Sequence, residues 1–201
     1  MYQVFSFANT NEAESYMDKK ILRYIDKQIT DSFECFKDCD ILAFDWYDVQ
    51  SKRTDDFKML LYLDKEDLLV FCETPEAEEK ANTILHMLTE EEGLTNERVF
   101  YHFFALLLKG DMDFLNSLEE EISKNEDLVL SGGKASYLKY ITIWRQELLR
   151  LKRYYEQLNF IFDEMTVNDN QLFSKDGVRR LMTLRNRTDR YLSAVKNLQE
   201  M

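Results

Sequence analysis

Four acidic residues, Asp163, Glu164, Asp169 and Asp176, crowd into one short polar stretch together with Asn168 and Asn170. Carboxylate oxygens are the ligands that hard divalent cations want, and Mg²⁺ keeps most of its waters while touching one or two of them. The stretch is a candidate lining for a cation site, set against the plainer reading of a solvated loop. Glu119-Glu120-Glu121 reads as a solvated helix face, because neighbouring positions on a helix point in different directions. The sequence assigns no individual metal ligand. His86 and His102 stand 16 apart with no Cys or carboxylate at zinc spacing. Cys35, Cys39 and Cys72 are an odd number and form neither a CxxC pair nor a disulfide framework, so they read as reduced, buried thiols. Trp144 and the Tyr154/Tyr155 pair read as packing residues rather than a ligand cage. No nucleophile elbow, P-loop or dinucleotide fingerprint is present. Catalysis therefore has no foothold, and the chain reads as a non-enzyme with no tightly bound cofactor. A carboxylate-based hydrolase would need two acids converging in a pocket with their pKa values driven apart.

Charge points the same way as the acidic stretch. The 201 residues carry a net charge of −12. Residues 1–133 hold 13 Lys+Arg and 30 Asp+Glu, a net of −17, whereas residues 134–201 hold 13 and 8, a net of +5. An acidic body disfavours nucleic acid, whose phosphates need a basic face, and favours cations or basic partners. The opening MYQVFSFANTNE has no basic segment followed by a long apolar one, so it does not read as a signal peptide. Apolar runs such as Phe103–Leu108 fall far short of the ~18 residues that a spanning helix needs.

The elements that must position these residues come in two kinds. Residues 2–8, 33–37 and 40–48 read as strands, and FKMLLYL (57–63) with LLVFCE (68–73) as a hairpin around Asp64–Asp67. Asn11 is placed to cap a helix over 12–29, and Pro75 to open another. Thr95 and Asn96 are placed to cap a long helical segment from Glu97 to about Leu130, broken by Ser131-Gly132-Gly133. Beyond it Ile141, Trp144, Leu148, Leu151, Tyr155, Leu158, Phe162 and Met165 alternate spacings of 3 and 4. After the polar loop Thr166–Asp176, Val178, Leu181, Leu184, Thr188, Tyr191, Val195 and Leu198 are spaced 3, 3, 4, 3, 4, 3. Both are apolar seams at coiled-coil period, which must hide in each other or in a second chain. The second seam reaches the last residues with no cap, which reads as a helix cut in mid-pattern. The fold class is α+β. An N-terminal α/β domain (1–94) with a small, mostly antiparallel sheet flanked by helices is followed by long coiled-coil-like helices (95–201).

This succession resembles the CorA family of magnesium and cobalt transporters. LYLDKEDLLVFCET resembles the family's strand pair and its exit to a helix. RVFYHFFALLLKGDMDFLNSLEEEISKNEDLVL resembles its acidic helix pair. LKYITIWRQELLRLKRYYEQLNFIFDEM resembles the family's helix patterned in Arg, Glu and Leu, here Arg145, Glu147, Leu148 and Arg150. SKDGVRRLMTLRNRTDRYLSAVKNL resembles the start of the long stalk. The likeness covers residues 57–201 well and the first 56 poorly, where the family's α/β part looks shortened. The resemblance implies the regulatory funnel of a homopentamer, on the cytoplasmic side of a cell membrane that the full-length protein crosses with two helices per subunit. Region 95–201 would then lead to a stalk cut before its membrane helices. The implied ligand, transported or regulatory, is Mg²⁺, Co²⁺ or, as in a close relative, Zn²⁺, held between subunits by cytosolic carboxylates. The family's Gly-Met-Asn signature is absent from these residues. In the turn after Asp189, where a stalk carboxylate would be sought, the chain reads Leu192-Ser193-Ala194. Arg179, Arg180, Arg185, Arg187 and Arg190 lie on the helix heading for the membrane, which agrees with the positive-inside rule. The alternative is a stand-alone coiled-coil adaptor whose seams bind a partner helix.

Overall fold

The computed structural model describes residues 1–49, 56–89, 93–130 and 134–200, with side chains throughout except at 126–130 and 134–139. Ser131-Gly132-Gly133, expected to break the helix, lie outside the described residues.

Five strands form one sheet: β1 Tyr2–Ser6, β2 Phe33–Cys35, β3 Asp40–Tyr47, β4 Asp56–Leu63 and β5 Leu68–Cys72. Their order is β1-β5-β4-β3-β2, with β1 parallel to β5 and every other pairing antiparallel. The β4–β5 turn is made by Asp64, whose Oδ1 accepts from the backbone N–H groups of Glu66 (2.8 Å) and Asp67 (2.7 Å). That is the self-bonding for which Asp is favoured in turns. Every residue of β5 is buried, because both faces of the sheet are covered. Leu42, Phe44, Met59, Leu61, Leu68 and Val70 face the large helices. Ile41, Ala43, Leu60, Tyr62, Leu69 and Phe71 face Phe5, Ala13, Leu22 and Ile25 on the opposite side. The two sets alternate along each strand, so a slip of one residue would exchange them.

The N-terminal helix is shorter than the 12–29 expected. After β1 the Ser6 hydroxyl accepts from the Ala8 N–H, and Phe7–Ala13 form a 3₁₀ turn. Asp18, not Asn11, then caps α1, Lys19–Asp26, by accepting from Lys20 N–H at 2.7 Å. Gln28, at φ 49°, lies two residues past its end. Pro75 does open α2, Pro75–Thr89.

The continuous helix expected from Glu97 to Leu130 is two: α3, Asn96–Leu107, and α4, Asp111–Leu130. Gly110 lies between them at φ 94°, which a residue without Cβ adopts without steric cost. The Thr95 side chain makes no capping bond, and the Asn96 amide donates instead to the Asp64 carbonyl at 3.1 Å.

Two long helices complete the chain, α5 (Lys134–Met165) and α6 (Lys175–Glu200), of 32 and 26 residues. Their seams bury each other: Trp144, Leu148, Leu151, Tyr155, Leu158, Phe162 and Met165 meet Leu181, Leu184, Thr188, Tyr191, Val195 and Leu198. Inside the seam Asn159 Nδ2 donates to Thr188 Oγ1 and the Arg185 carbonyl, both at 3.0 Å. A polar pair in an apolar seam is satisfied in one alignment only, and so fixes the register. The pair is docked on the sheet, since one apolar cluster runs from β3–β5 through α2 and α3 to α5 and α6.

Candidate functional site

Beyond Leu42, strand β3 has no β2 partner, and α5 supplies one through side chains. Gln157 Oε1 accepts from Asp45 N–H at 3.0 Å, while its Nε2 donates to the Ala43 and Asp31 carbonyls at 3.3 and 3.1 Å. The Tyr47 hydroxyl, at the end of β3, donates to Glu147, the acid of the Arg145–Arg150 pattern, in a short contact. Glu147 is thereby a structural tie between sheet and helix.

The α5–α6 loop is held as firmly. Asn168, at φ 56°, accepts from Phe173 N–H at 3.0 Å and donates to its carbonyl at 2.8 Å. Asn170 Nδ2 enters a nook of acceptors in the β2–β3 turn: Phe36 O at 2.7 Å, Asp40 Oδ1 at 2.8 Å, Cys39 O at 3.1 Å and Cys35 Sγ at 3.3 Å. Asp40 is 4% exposed. Burial raises its carboxyl, while the Asn170 and Cys35 hydrogen bonds pull it back down. Ser174 caps α6 by accepting from Gly177 N–H at 3.1 Å, and Glu97 of α3 accepts from Ser174 N–H at 2.7 Å and its hydroxyl at 3.0 Å. A Cβ on Gly177 would lie 2.4 Å from the Glu97 carboxylate and 3.1 Å from Phe173 Cβ, so α3 and α6 close here only around a glycine.

The four acids singled out from the sequence do not converge. Asp163 pairs with Arg185 at 3.2 Å and Asp176 with Arg179 at 2.9 Å. Glu164 and Asp169 line a cavity of about 110 Å³ with Asp40, Cys35 and Phe33. That volume holds a few waters, far below the ~300 Å³ at which substrate clefts begin, so the hydrolase reading finds no substrate-sized cleft at these acids. Glu119, Glu120 and Glu121 are exposed, as expected of a solvated face. Trp144, Tyr154 and Tyr155 are buried packing residues. No group of three or more Cys, His, Asp or Glu forms a metal-binding cluster among the described residues. Cys39 and Cys72 are buried, but Cys35 is exposed, which corrects the expectation of three buried thiols; the β2 edge leaves it uncovered. Burial, and then Asp40, push the Cys35 thiol up to about 11, and Cys39 up to about 12. Both are thus protonated at neutral pH when no ion is bound, and neither is an activated nucleophile.

Four of the five arginines of α6, Arg179, Arg180, Arg185 and Arg187, bond within the chain. Arg180 meets Glu97 at 3.8 Å. Arg187 closes the end of α3: its Nη1 donates to the Ala105 carbonyl at 3.1 Å, Nη2 to the Leu108 carbonyl at 2.7 Å and Nε to the Tyr191 hydroxyl at 2.6 Å. A cation on the last carbonyls of a helix satisfies orphan acceptors and the negative end of the dipole together. Past that end lies Asp111, the first residue of α4, 2% exposed, whose Oδ2 accepts from the Tyr155 hydroxyl at 3.0 Å. Sequence reasoning passed over Asp40, Asp111 and Gln157, and read Arg187 as a membrane-side charge.

A sheet capped on one face by a long antiparallel helix pair can now be compared with known proteins. The family model described as "CorA-like Mg2+ transporter protein" matches residues 20–201. The chain belongs to the CorA-like family. No curated protein sequence matches it. Among solved structures, the soluble domain of CorA from Methanocaldococcus jannaschii superposes with a TM-score of 0.71 at 14% identity, over 88% of this chain and 74% of that one. The full-length CmaX protein gives 0.80 at 13% identity, over 98% of this chain and 63% of that one. The cytoplasmic domain of ZntB from Vibrio parahaemolyticus RIMD 2210633 gives 0.65 at 12% identity, over 94% and 80%. At these identities the superpositions speak to the fold alone. The CorA-like chain spans under two thirds of the full-length CmaX protein. No helix among its described residues is long and apolar enough to cross a membrane.

Proposed function

We propose that this chain is the cytoplasmic, cation-responsive part of a divalent metal-ion transporter, with Mg²⁺ as the first ion to test and Co²⁺ and Zn²⁺ as the others. The observation that carries the reading is the α5–α6 pair, docked on the sheet and locked in register by Asn159 and Thr188, in a chain of the CorA-like family. In the intact protein α6 would pass movements of the sheet region toward membrane-spanning segments, and several copies would surround one pore. The excess of acid over base in residues 1–133, a net of −17, supports cation gathering, since such a field concentrates counter-ions around a vestibule. Ions bridging like-charged copies would favour one packing of the assembly over another. The adaptor alternative loses support, because the seams it would offer a partner helix are occupied by each other.

The test is divalent-ion uptake by cells expressing the complete protein from which these residues come. The expected result is uptake of Mg²⁺ or Co²⁺ above that of cells without the protein, falling as internal Mg²⁺ rises. Equal uptake with and without the protein for Mg²⁺, Co²⁺ and Zn²⁺ would overturn the reading.

A further inference from the structure

The α3–α4 junction holds a buried carboxyl with no counter-ion of its own. Asp111 opens α4 at 2% exposure and forms no ion pair among the described residues; its one side-chain partner is the Tyr155 hydroxyl, at 3.0 Å. The nearby guanidinium of Arg187 has its three donor nitrogens on the carbonyls of Ala105 and Leu108 and on the Tyr191 hydroxyl. One residue from Tyr155, the Tyr154 hydroxyl is buried and has no hydrogen-bond partner. Buried polar groups are almost always paired, so an orphan hydroxyl beside a carboxyl without counter-ion marks a place built for more than one arrangement.

The charged and hydroxyl groups that act on Asp111 come from four elements. Tyr154 and Tyr155 come from α5, Arg187 from α6 with Tyr191 against the Tyr155 ring at 5.1 Å, Lys80 from α2, and Asp48 from the end of β3. Their charges oppose one another. Burial, the largest influence, favours the neutral carboxyl; the Tyr155 hydrogen bond, Arg187 and Lys80 favour the ionised one, and Asp48 works against it.

We propose that the buried Asp111 carboxyl is a proton-operated latch: protonated, it stays in its buried place and holds the first turn of α4 against the α5–α6 pair; ionised, it draws that turn away toward further donors. A buried carboxylate with one donor is under-satisfied, and low polarity around it raises that cost. It can gain a second donor from Tyr154 or from water, and either needs the first turn of α4 to shift. Gly110 supplies the hinge, since its backbone already lies where other residues are strained. The balance places the change at neutral pH, with the Asp111 carboxyl pushed up to about 7. The latch does not depend on the transport reading above.

The sign follows from linkage. The unfolded pKa of Asp is about 3.9, below the folded value, so the contribution to stability is complete below about pH 4, declines between about 4 and 7, and is gone above. The test combines two measurements on the 201-residue chain: a ¹³C-carboxyl NMR titration, and amide hydrogen exchange of residues 108–113 at pH 6 and pH 8, corrected for intrinsic rates. In the unmodified chain Asp111 is expected to titrate between pH 6 and 8, and junction protection to fall at least tenfold across that range. The thermal midpoint is expected to fall about 3–5 °C per pH unit between pH 5 and 7. Asp111→Asn is expected to hold the junction equally at both pH values, and Tyr155→Phe, which removes a donor that favours the ionised carboxyl, to move the Asp111 midpoint above that of the unmodified chain. An Asp111 midpoint near 4, or equal protection at pH 6 and 8 in the unmodified chain, would overturn the latch whether or not either variant folds. So would a pH-dependent loss that survives Asp111→Asn, or an Asp111 midpoint in Tyr155→Phe below that of the unmodified chain.

Discussion

At the scale of single residues, the contacts that tie this chain together are long in sequence and short in space. Arg187 reaches carbonyls 79 and 82 positions away, and Gln157 joins carbonyls more than 110 positions away. Nothing in the spacing of one sequence announces such bonds, which is why Arg187 read as a basic residue on a membrane-bound helix. One substitution checks its role. Arg187→Met keeps much of the apolar stem but removes three hydrogen bonds, and is expected to destabilise the chain by about 2–4 kcal/mol, given ~1.5–3 for hydrogen bonds involving charge. Equilibrium urea unfolding measures it, and a loss under ~0.5 kcal/mol would contradict the cap. Gly177→Ala puts a methyl group against Glu97 and Phe173. It is expected to cost ~1–3 kcal/mol by overpacking, with Gly93→Ala no guide to it, because at φ 80° that position is strained for backbone reasons instead.

At the scale of elements, what was legible depended on whether period and punctuation agreed. The β4–β5 hairpin was readable because apolar strands flank Asp64, whose side chain makes the turn. The α5–α6 pair was readable because its seam holds its step for more than three heptads. The break at Gly110 was not, since the apolar spacing of Phe100, Phe104 and Leu107 resumes in Leu118 and Ile122 and one glycine is tolerated in a helix. The start of α1 was missed because Asn11 and Asp18 are equally good caps by type, and only the packing of Ala13 and the 3₁₀ turn selects Asp18. The candidate acids failed to gather because two of them pair with arginines: Asp163 with Arg185 across the helix pair, which a linear reading does not juxtapose, and Asp176 with Arg179 three residues on in α6. The seam makes its own prediction. Leu158→Ala, at a fully buried seam position, is expected to cost ~2–5 kcal/mol, whereas Phe160→Ala, at 49% exposure two residues on, is expected to stay within ~0.5 kcal/mol. Equal effects in thermal unfolding would show that α5 does not present the face described.

At the scale of the molecule, the charge is unevenly divided: the sheet, α1–α4 and their connections are strongly acidic, and the α5–α6 region is mildly basic. Like-charged copies repel unless ions intervene, and that repulsion is screened by salt. These 201 residues alone are therefore expected to sediment as monomers or weak oligomers in EDTA, with association rising in millimolar Mg²⁺. A stable large oligomer in EDTA would contradict that. The measurement closest to the central claim is thermal unfolding of the chain across Mg²⁺, Co²⁺ and Zn²⁺ at matched ionic strength. An ion held by the native state at a hundred times its Kd is expected to raise the midpoint by roughly 5–10 °C. A midpoint that stays put for all three ions would contradict a cation-responsive domain.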